Sequence, residues 1–251
     1  MDNHTSSKTS DTYSYLGNVL DQVDESWHPT FSTVKMRAEL KDVNKRLEAS
    51  AKTGAKIYPE KTDIFRLFRL VPLPSIKCVI IGQDPYQNGD ACGVAFGGKR
   101  KNIPPSLANI WKEVLNTYPT RRLPAKMPTA CLDGWCKQGV FLLNQCLTVD
   151  EGESDSHGGM WGGVILQVVW AIIEENHRVP WVLWGKKAQK LKGKLEEKSV
   201  TNILECCHPS PRNGKRFEHN GHFKLINELL EDDGVEVIDW ARHDDSLPPI
   251  E

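Results

Sequence analysis

The stretch from Lys77 to Gln87, Lys-Cys-Val-Ile-Ile-Gly-Gln-Asp-Pro-Tyr-Gln, constrains the fold of this chain more than any other. Val79, Ile80 and Ile81 form an unbroken apolar, β-branched run with no polar alternation. That is the pattern of a strand covered on both faces, as in a parallel sheet sandwiched by helices. Gly82 and Pro85 end it abruptly. In an open parallel sheet, ligands sit beyond the carboxyl ends of the strands, so Gln83, Asp84, Tyr86 and Gln87 arrive where a substrate would lie. Asp before Pro also caps turns, and this stretch alone weighs capping and function evenly for Asp84.

Three more apolar runs end in the same punctuated way. Residues 139–144 finish on the amide of Asn144, residues 179–184 on Gly185-Lys186-Lys187, and residues 200–207 on His208-Pro209-Ser210-Pro211. Helix-period segments lie between and around them. Met36, Leu40, Val43 and Leu47 mark a solvent-facing helix over 36–51, and 63–68 reads as a short helix. Pro105 and Ser106 open a helix from 107 to about 118, and another covers 164–175. A last helix over 223–231 directs Leu225, Ile226, Leu229 and Leu230 to the core, and 235–240 reads as a terminal strand. Strands alternating with helices give an α/β fold, and 251 residues suit one domain. Its expected span is 23–242, with 1–22 as a disordered polar tail and 243–251 as a loose end.

Lys and Arg total 32 against 33 for Asp and Glu, so no whole-molecule charge draws the chain to nucleic acid, and any basic surface is local. No run of about 18 apolar residues is present, and the first thirty residues lack a secretory signal pattern. An intracellular protein without a membrane segment is expected. The seven cysteines sit mostly in apolar runs at spacings unlike zinc sites, which predicts buried thiols in a reducing compartment and no metal.

Individually, each candidate side chain has an ordinary reading. Asn144 can form an Asx turn, or pair its amide with the N-H and C=O of a nucleobase imide. Phe96 is by default a core residue. A lone histidine after a strand is more often structural, although His208 stands among prolines at the same sheet edge as an Asp and an Asn.

Taken in order, Gly-Gln-Asp-Pro-Tyr at 82–86, Gly-Val-Ala-Phe at 93–96, Pro-Pro-Ser-Leu at 104–107, Leu-Leu-Asn with Leu-Thr-Val at 142–149, Leu-Trp-Gly at 183–185 and His-Pro-Ser-Pro at 208–211 resemble the family-1 uracil-DNA glycosylases. The resemblance covers residues 57–240. It implies a single α/β domain with a central parallel four-stranded sheet flanked by helices, no metal or cofactor, and a base-flipping mechanism. It assigns Asp84 and His208 to catalysis: the carboxylate favours the oxocarbenium-like sugar and orients water, and a neutral imidazole donates to uracil O2. Phe96 stacks the base, Asn144 reads N3-H and O4, Tyr86 excludes the thymine methyl, and the backbone at Gln83 holds O2. Pro104, Pro105 and Ser106, then Gly185 and Lys186, then Ser210, Pro211 and Arg212 fill the DNA-binding loops. Lys99, Arg100, Lys101, Lys187, Lys215 and Arg216 add local positive charge.

The implied partners are uracil-containing single- and double-stranded DNA and proteinaceous uracil-DNA glycosylase inhibitors. The implied enzyme works as a monomer in the nucleus or cytoplasm, in base excision repair. Three positions depart from the family pattern: Gln87 replaces a His, Lys186 a Ser, and Arg212 the Leu that wedges into the duplex. A guanidinium pushes through stacked bases less effectively than an apolar wedge, which predicts a stronger single-strand preference. The competing readings are a DNA-binding accessory subunit that has lost the chemistry, and a hydrolase acting on another nucleobase.

Overall fold

The computed structural model describes residues 12–100, 102–118 and 130–242. Four parallel strands form the central sheet: β1 (Cys78–Gly82), β2 (Val140–Asn144), β3 (Trp181–Trp184) and β4 (Ile203–Cys206), in the spatial order β2-β1-β3-β4. Every residue of β1, β2 and β3 is buried, which is what their unbroken apolar runs require. The edge strand β4 is only partly covered and so tolerates Glu205. After β1 the chain adds β2 on one side, then crosses back to place β3 on the other. Strand order therefore reverses at β1, and a crevice opens beyond its carboxyl end. Register pairs Gly82 with Asn144, which brings the first and second strand ends level.

Helix α1 (Val34–Lys52) begins at Thr33, whose hydroxyl accepts from Met36 N at 3.1 Å, and buries Met36, Leu40, Val43 and Leu47. It packs against α3 (Gly162–Glu175). Helix α2 (Pro105–Thr117) starts with proline at its first position and buries Leu107, Ile110, Trp111 and Val114. Its two buried polar residues tie down the chain after β4. Asn109 Nδ2 donates to Pro209 O at 2.9 Å, and Glu113 accepts from the backbone N-H groups of His219 and Gly221.

Three expectations need correction. The segment assigned to a disordered tail is packed from residue 12 onward: Thr12–Tyr13 pairs with Gly17–Asn18, and Leu16 and Val19 are buried. The Asn44 side chain on α1 accepts from Tyr15 N and Leu16 N, so a few apolar residues and one buried amide suffice to hold a polar segment. Residues 1–11 and the expected loose end at 243–251 lie outside the described residues. The terminal strand at 235–240 is not a strand. Its hydrogen-bonding groups are met by side-chain amides: Asn227 both donates to Ile238 O and accepts from Ile238 N, and Gln138 does the same for Asp239. In α4 (His222–Asp232), Phe223, Ile226 and Leu230 make the buried stripe, and Leu225 faces solvent.

All seven cysteines are free thiols, four of them buried. Burial pushes Cys146 up to about 12 and Cys131 up to about 11, so these groups stay protonated. No helix among the described residues is long and apolar enough to cross a membrane.

Candidate active site

A cavity of about 240 Å³ opens beyond the ends of β1 and β2, lined among others by Gln83, Asp84, Tyr86, Gln87, Phe96, Ser106, Asn144, Ser154 and His208. It is smaller than the ~300 Å³ at which pockets for drug-sized ligands begin, and suits a single ring. Side chains separated by 125 positions in the sequence thus share one wall-to-wall space.

Asn144, the last residue of β2, is only 7% exposed, yet none of the described residues hydrogen-bonds its side chain. At the wall of the cavity its oxygen and amino group are left for a ligand that offers a complementary donor and acceptor. Its position depends on Gly82 beside it in the sheet. A Cβ at Gly82 would lie 2.2 Å from Asn144 Oδ1 and 2.7 Å from Ala95 Cβ.

Phe96 sits in a turn with φ of 63°, a left-handed conformation that is an outlier for a bulky side chain. Its backbone is held there from several sides. Tyr86 Oη donates to Phe96 O at 3.0 Å, Ala95 N to Leu142 O at 3.0 Å, and Gly97 N to Val94 O at 3.2 Å. The half-buried ring lies 5.7 Å from Trp184 and 6.1 Å from the His208 imidazole, centroid to centroid. Backbone strain of this kind costs about 1–3 kcal/mol and gathers at sites where a side chain must be aimed. Burial pushes the Tyr86 phenol well above its ordinary value, so its ring is a neutral wall.

His208 follows β4. Ser210 N donates to His208 Nδ1 at 3.1 Å, and a backbone N-H can only donate, so Nδ1 carries no proton. Burial lowers the imidazole pKa, with the Asp84 carboxylate pulling the other way. The neutral ring therefore holds its proton on Nε2. Gly185 packs against it closely: with φ of 92°, a Cβ there would stand 2.8 Å from His208 Cβ.

The surroundings of Asp84 were not legible in the sequence. Ser154 Oγ donates to Asp84 Oδ2 at 2.9 Å and Asp155 N donates to the same oxygen at 2.7 Å. Oδ1 has no protein donor among the described residues. The only signal for Ser154 and Asp155 was a polar, glycine-flanked loop after the second strand. Gln87 lines the cavity, and its buried Oε1 has no hydrogen-bond partner among the described residues.

Around the cavity, Pro104 and Pro105 begin α2 and place Ser106 on its wall. Ser210 Oγ accepts from Asn213 Nδ2 at 3.3 Å within the turn that carries Pro211 and an exposed Arg212. The expected basic surface is thinner than its residue count. Lys99 pairs with Asp63 at 2.6 Å, Lys187 with Asp155 at 2.8 Å, and Arg100 lies 3.9 Å from Asp90. Lys186 and Arg212 have no carboxylate partner among the described residues, and Lys101 lies outside them. Among the described residues no cluster of three His, Cys, Asp or Glu side chains is arranged to hold a metal ion.

Comparison with known proteins agrees with this geometry. Residues 68–231 match the family described as the Uracil DNA glycosylase superfamily. A uracil-DNA glycosylase of Escherichia fergusonii is 36% identical over 219 residues, covering 86% of this chain and 94% of that protein. One from Escherichia coli is 37% identical over the same length and coverage. The crystal structure of mimivirus uracil-DNA glycosylase aligns with a TM-score of 0.78 at 25% identity, covering 89% of each chain. A variant of the mimivirus enzyme solved in complex with UGI aligns at 0.79, also at 25% identity, covering 89% of this chain and 90% of that one.

Proposed function

We propose that this chain, which belongs to the Uracil DNA glycosylase superfamily, hydrolyses the N-glycosidic bond of deoxyuridine in DNA, releasing free uracil and leaving an abasic site for base excision repair. The observation that carries the reading is the unpartnered amide of Asn144 in one small cavity with the Asp84 carboxylate and a neutral imidazole at His208.

A base within a duplex must leave the stack before chemistry can reach its sugar bond. The extruded ring stacks on Phe96. Asn144 accepts from uracil N3-H and donates to O4, and the main chain at Gln83 takes O2. The rigid, neutral ring of Tyr86 stands against C5 and rejects the thymine methyl by collision. As the bond breaks, positive charge grows on the deoxyribose and negative charge on the base. Asp84 stabilises the first and orients the water that attacks C1′. His208 donates from Nε2 to uracil O2 and stabilises the second, an interaction worth about 3–4 kcal/mol when it strengthens only in the transition state. Desolvation serves this role by keeping the imidazole neutral.

DNA is held through phosphates by the start of α2 (Pro104, Pro105, Ser106), by Gly185 and Lys186, and by Ser210, Pro211 and Arg212. The chain acts as a monomer on single- and double-stranded DNA, and its cleft also accepts a proteinaceous inhibitor, as the mimivirus complex with UGI suggests. The catalytic domain includes the packed residues 12–22 as well as the expected 23–242, and the free thiols suit a reducing compartment, nucleus or cytoplasm.

The test is release of free base from oligonucleotides carrying a single uracil, thymine or cytosine. Uracil alone should be released, and Asp84→Asn and His208→Ala should each slow that release severely, to a small residual rate. Tight DNA binding without release would favour an accessory subunit that has kept the fold and lost the chemistry.

A further inference from the structure

We infer that Ser154, Asp155 and Lys187 form a positioning relay that fixes the orientation of the Asp84 carboxylate for the reaction proposed above, on which this inference rests. Two donors from one loop converge on a single oxygen, Oδ2: the Ser154 hydroxyl at 2.9 Å and the Asp155 N-H at 2.7 Å. With Oδ2 occupied, Oδ1 is the oxygen left for the sugar and the water. A carboxylate free to turn about its side-chain bonds would present either oxygen and lose part of its effect on the developing cation.

The loop is built to deliver those donors. Asp155 has φ of 66°, a left-handed conformation that Asp tolerates better than most residues. Its carbonyl accepts from Gly158 N at 2.8 Å. Just after Asp155 the loop is anchored by Ser156 Oγ accepting from Asp150 N, and by His157 Nδ1 against Thr148 Oγ1, both at 2.8 Å. The Asp155 carboxylate meets Lys187 Nζ at 2.8 Å.

That ion pair does two things. It compensates a second negative charge held next to Asp84, which would otherwise compete for the same cation. It also clasps the loop after β2 to the short helix after β3, whose N-cap Gly185 packs on His208, so the mounts of both catalytic groups are joined. A lysine that composition assigns to a DNA-facing surface is thereby committed to the protein itself.

Steady-state excision of uracil from a single-stranded oligonucleotide tests the relay through kcat and KM. Ser154→Ala should lower kcat about tenfold, as loss of one hydrogen bond to a charged group does, with KM unchanged. Ser154→Thr, which keeps the hydroxyl, should restore most of it. Asp155→Asn and Lys187→Gln should each lower kcat, and their double variant should do no worse than the more damaged single one. In an Asp84→Asn background, Ser154→Ala should have no further effect on the residual rate, which separates action through Asp84 from general loosening of the loop.

An active wild type with unchanged kcat in Ser154→Ala, or the same fold-loss with and without Asp84, overturns the relay alone. A wild type that releases no uracil overturns the excision reading and the relay with it.

Discussion

Replacing Gly82 by alanine probes the site at its most crowded point, because the residue has no chemistry of its own. The added carbon starts 2.2 Å from Asn144 Oδ1, and ordinary contact begins at 3.4 Å, so the amide must retreat by about 1 Å. It cannot do so freely, since Asn144 is 7% exposed and Ala95 Cβ crowds the same space at 2.7 Å. A misplacement of about 1 Å at a group that orients substrate costs on the order of 100-fold in rate. Overpacking of this size costs about 1–3 kcal/mol of stability, which leaves a folded protein to assay. Gly98→Ala is the control, because its nearest neighbours would be in ordinary contact at 3.6 Å. Single-turnover uracil release and thermal unfolding, measured on both variants, should show Gly82→Ala slowed about 100-fold and Gly98→Ala near wild type. A Gly82→Ala protein that retains its rate to within about threefold would refute the claim that Asn144 must hold this position to read the base.

The other predictions concern selectivity, strand preference and acid stability. Tyr86→Ala should gain release of thymine from DNA while Tyr86→Phe should not, because collision with the ring, and not the hydroxyl, is the proposed filter; both products can be read by chromatography of free base. Arg212→Leu should raise the double- to single-strand activity ratio about fivefold or more through a better apolar wedge, and equal ratios in variant and wild type would count against that role. Burial lowers the His222 imidazole to about 4 from an ordinary 6.5, where its Nδ1 accepts from Trp184 Nε1. The unfolded state binds the proton first on acidification. Stability present above about pH 6.5 is therefore lost toward pH 4, by up to about 3 kcal/mol, and denaturant unfolding of His222→Gln should show a flatter pH dependence.

The strands and the residues at their ends were legible because the chain marks them twice. The unbroken runs at 79–81 and 140–143 have no polar face to expose, so both faces of each strand must be covered, and the residues that interrupt them fall at the carboxyl ends of the strands. What the sequence could not display were choices of partner. Nothing local distinguishes Ser154 and Asp155 from other loop residues, because their acceptor, Asp84, is some 70 positions away. Lys99 and Lys187 count as positive charge in any composition, and only folding shows that Asp63 and Asp155 neutralise them. Residues 235–240 carry a strand pattern, but Asn227 and Gln138 satisfy the backbone in place of a neighbouring strand. Similarly, Asn44 holds a polar segment that its own composition could not order.

The central claim is geometric, and a complex tests it most directly: the structure of this chain with an oligonucleotide carrying one deoxyuridine whose glycosidic bond is blocked by 2′-fluorination. The account predicts the uracil outside the helix, its ring on Phe96, N3-H and O4 within hydrogen-bond distance of the Asn144 amide, C5 against Tyr86 and O2 facing His208 Nε2. A uracil still stacked in the nucleic acid, or seated where Asn144 cannot reach its imide edge, would contradict it.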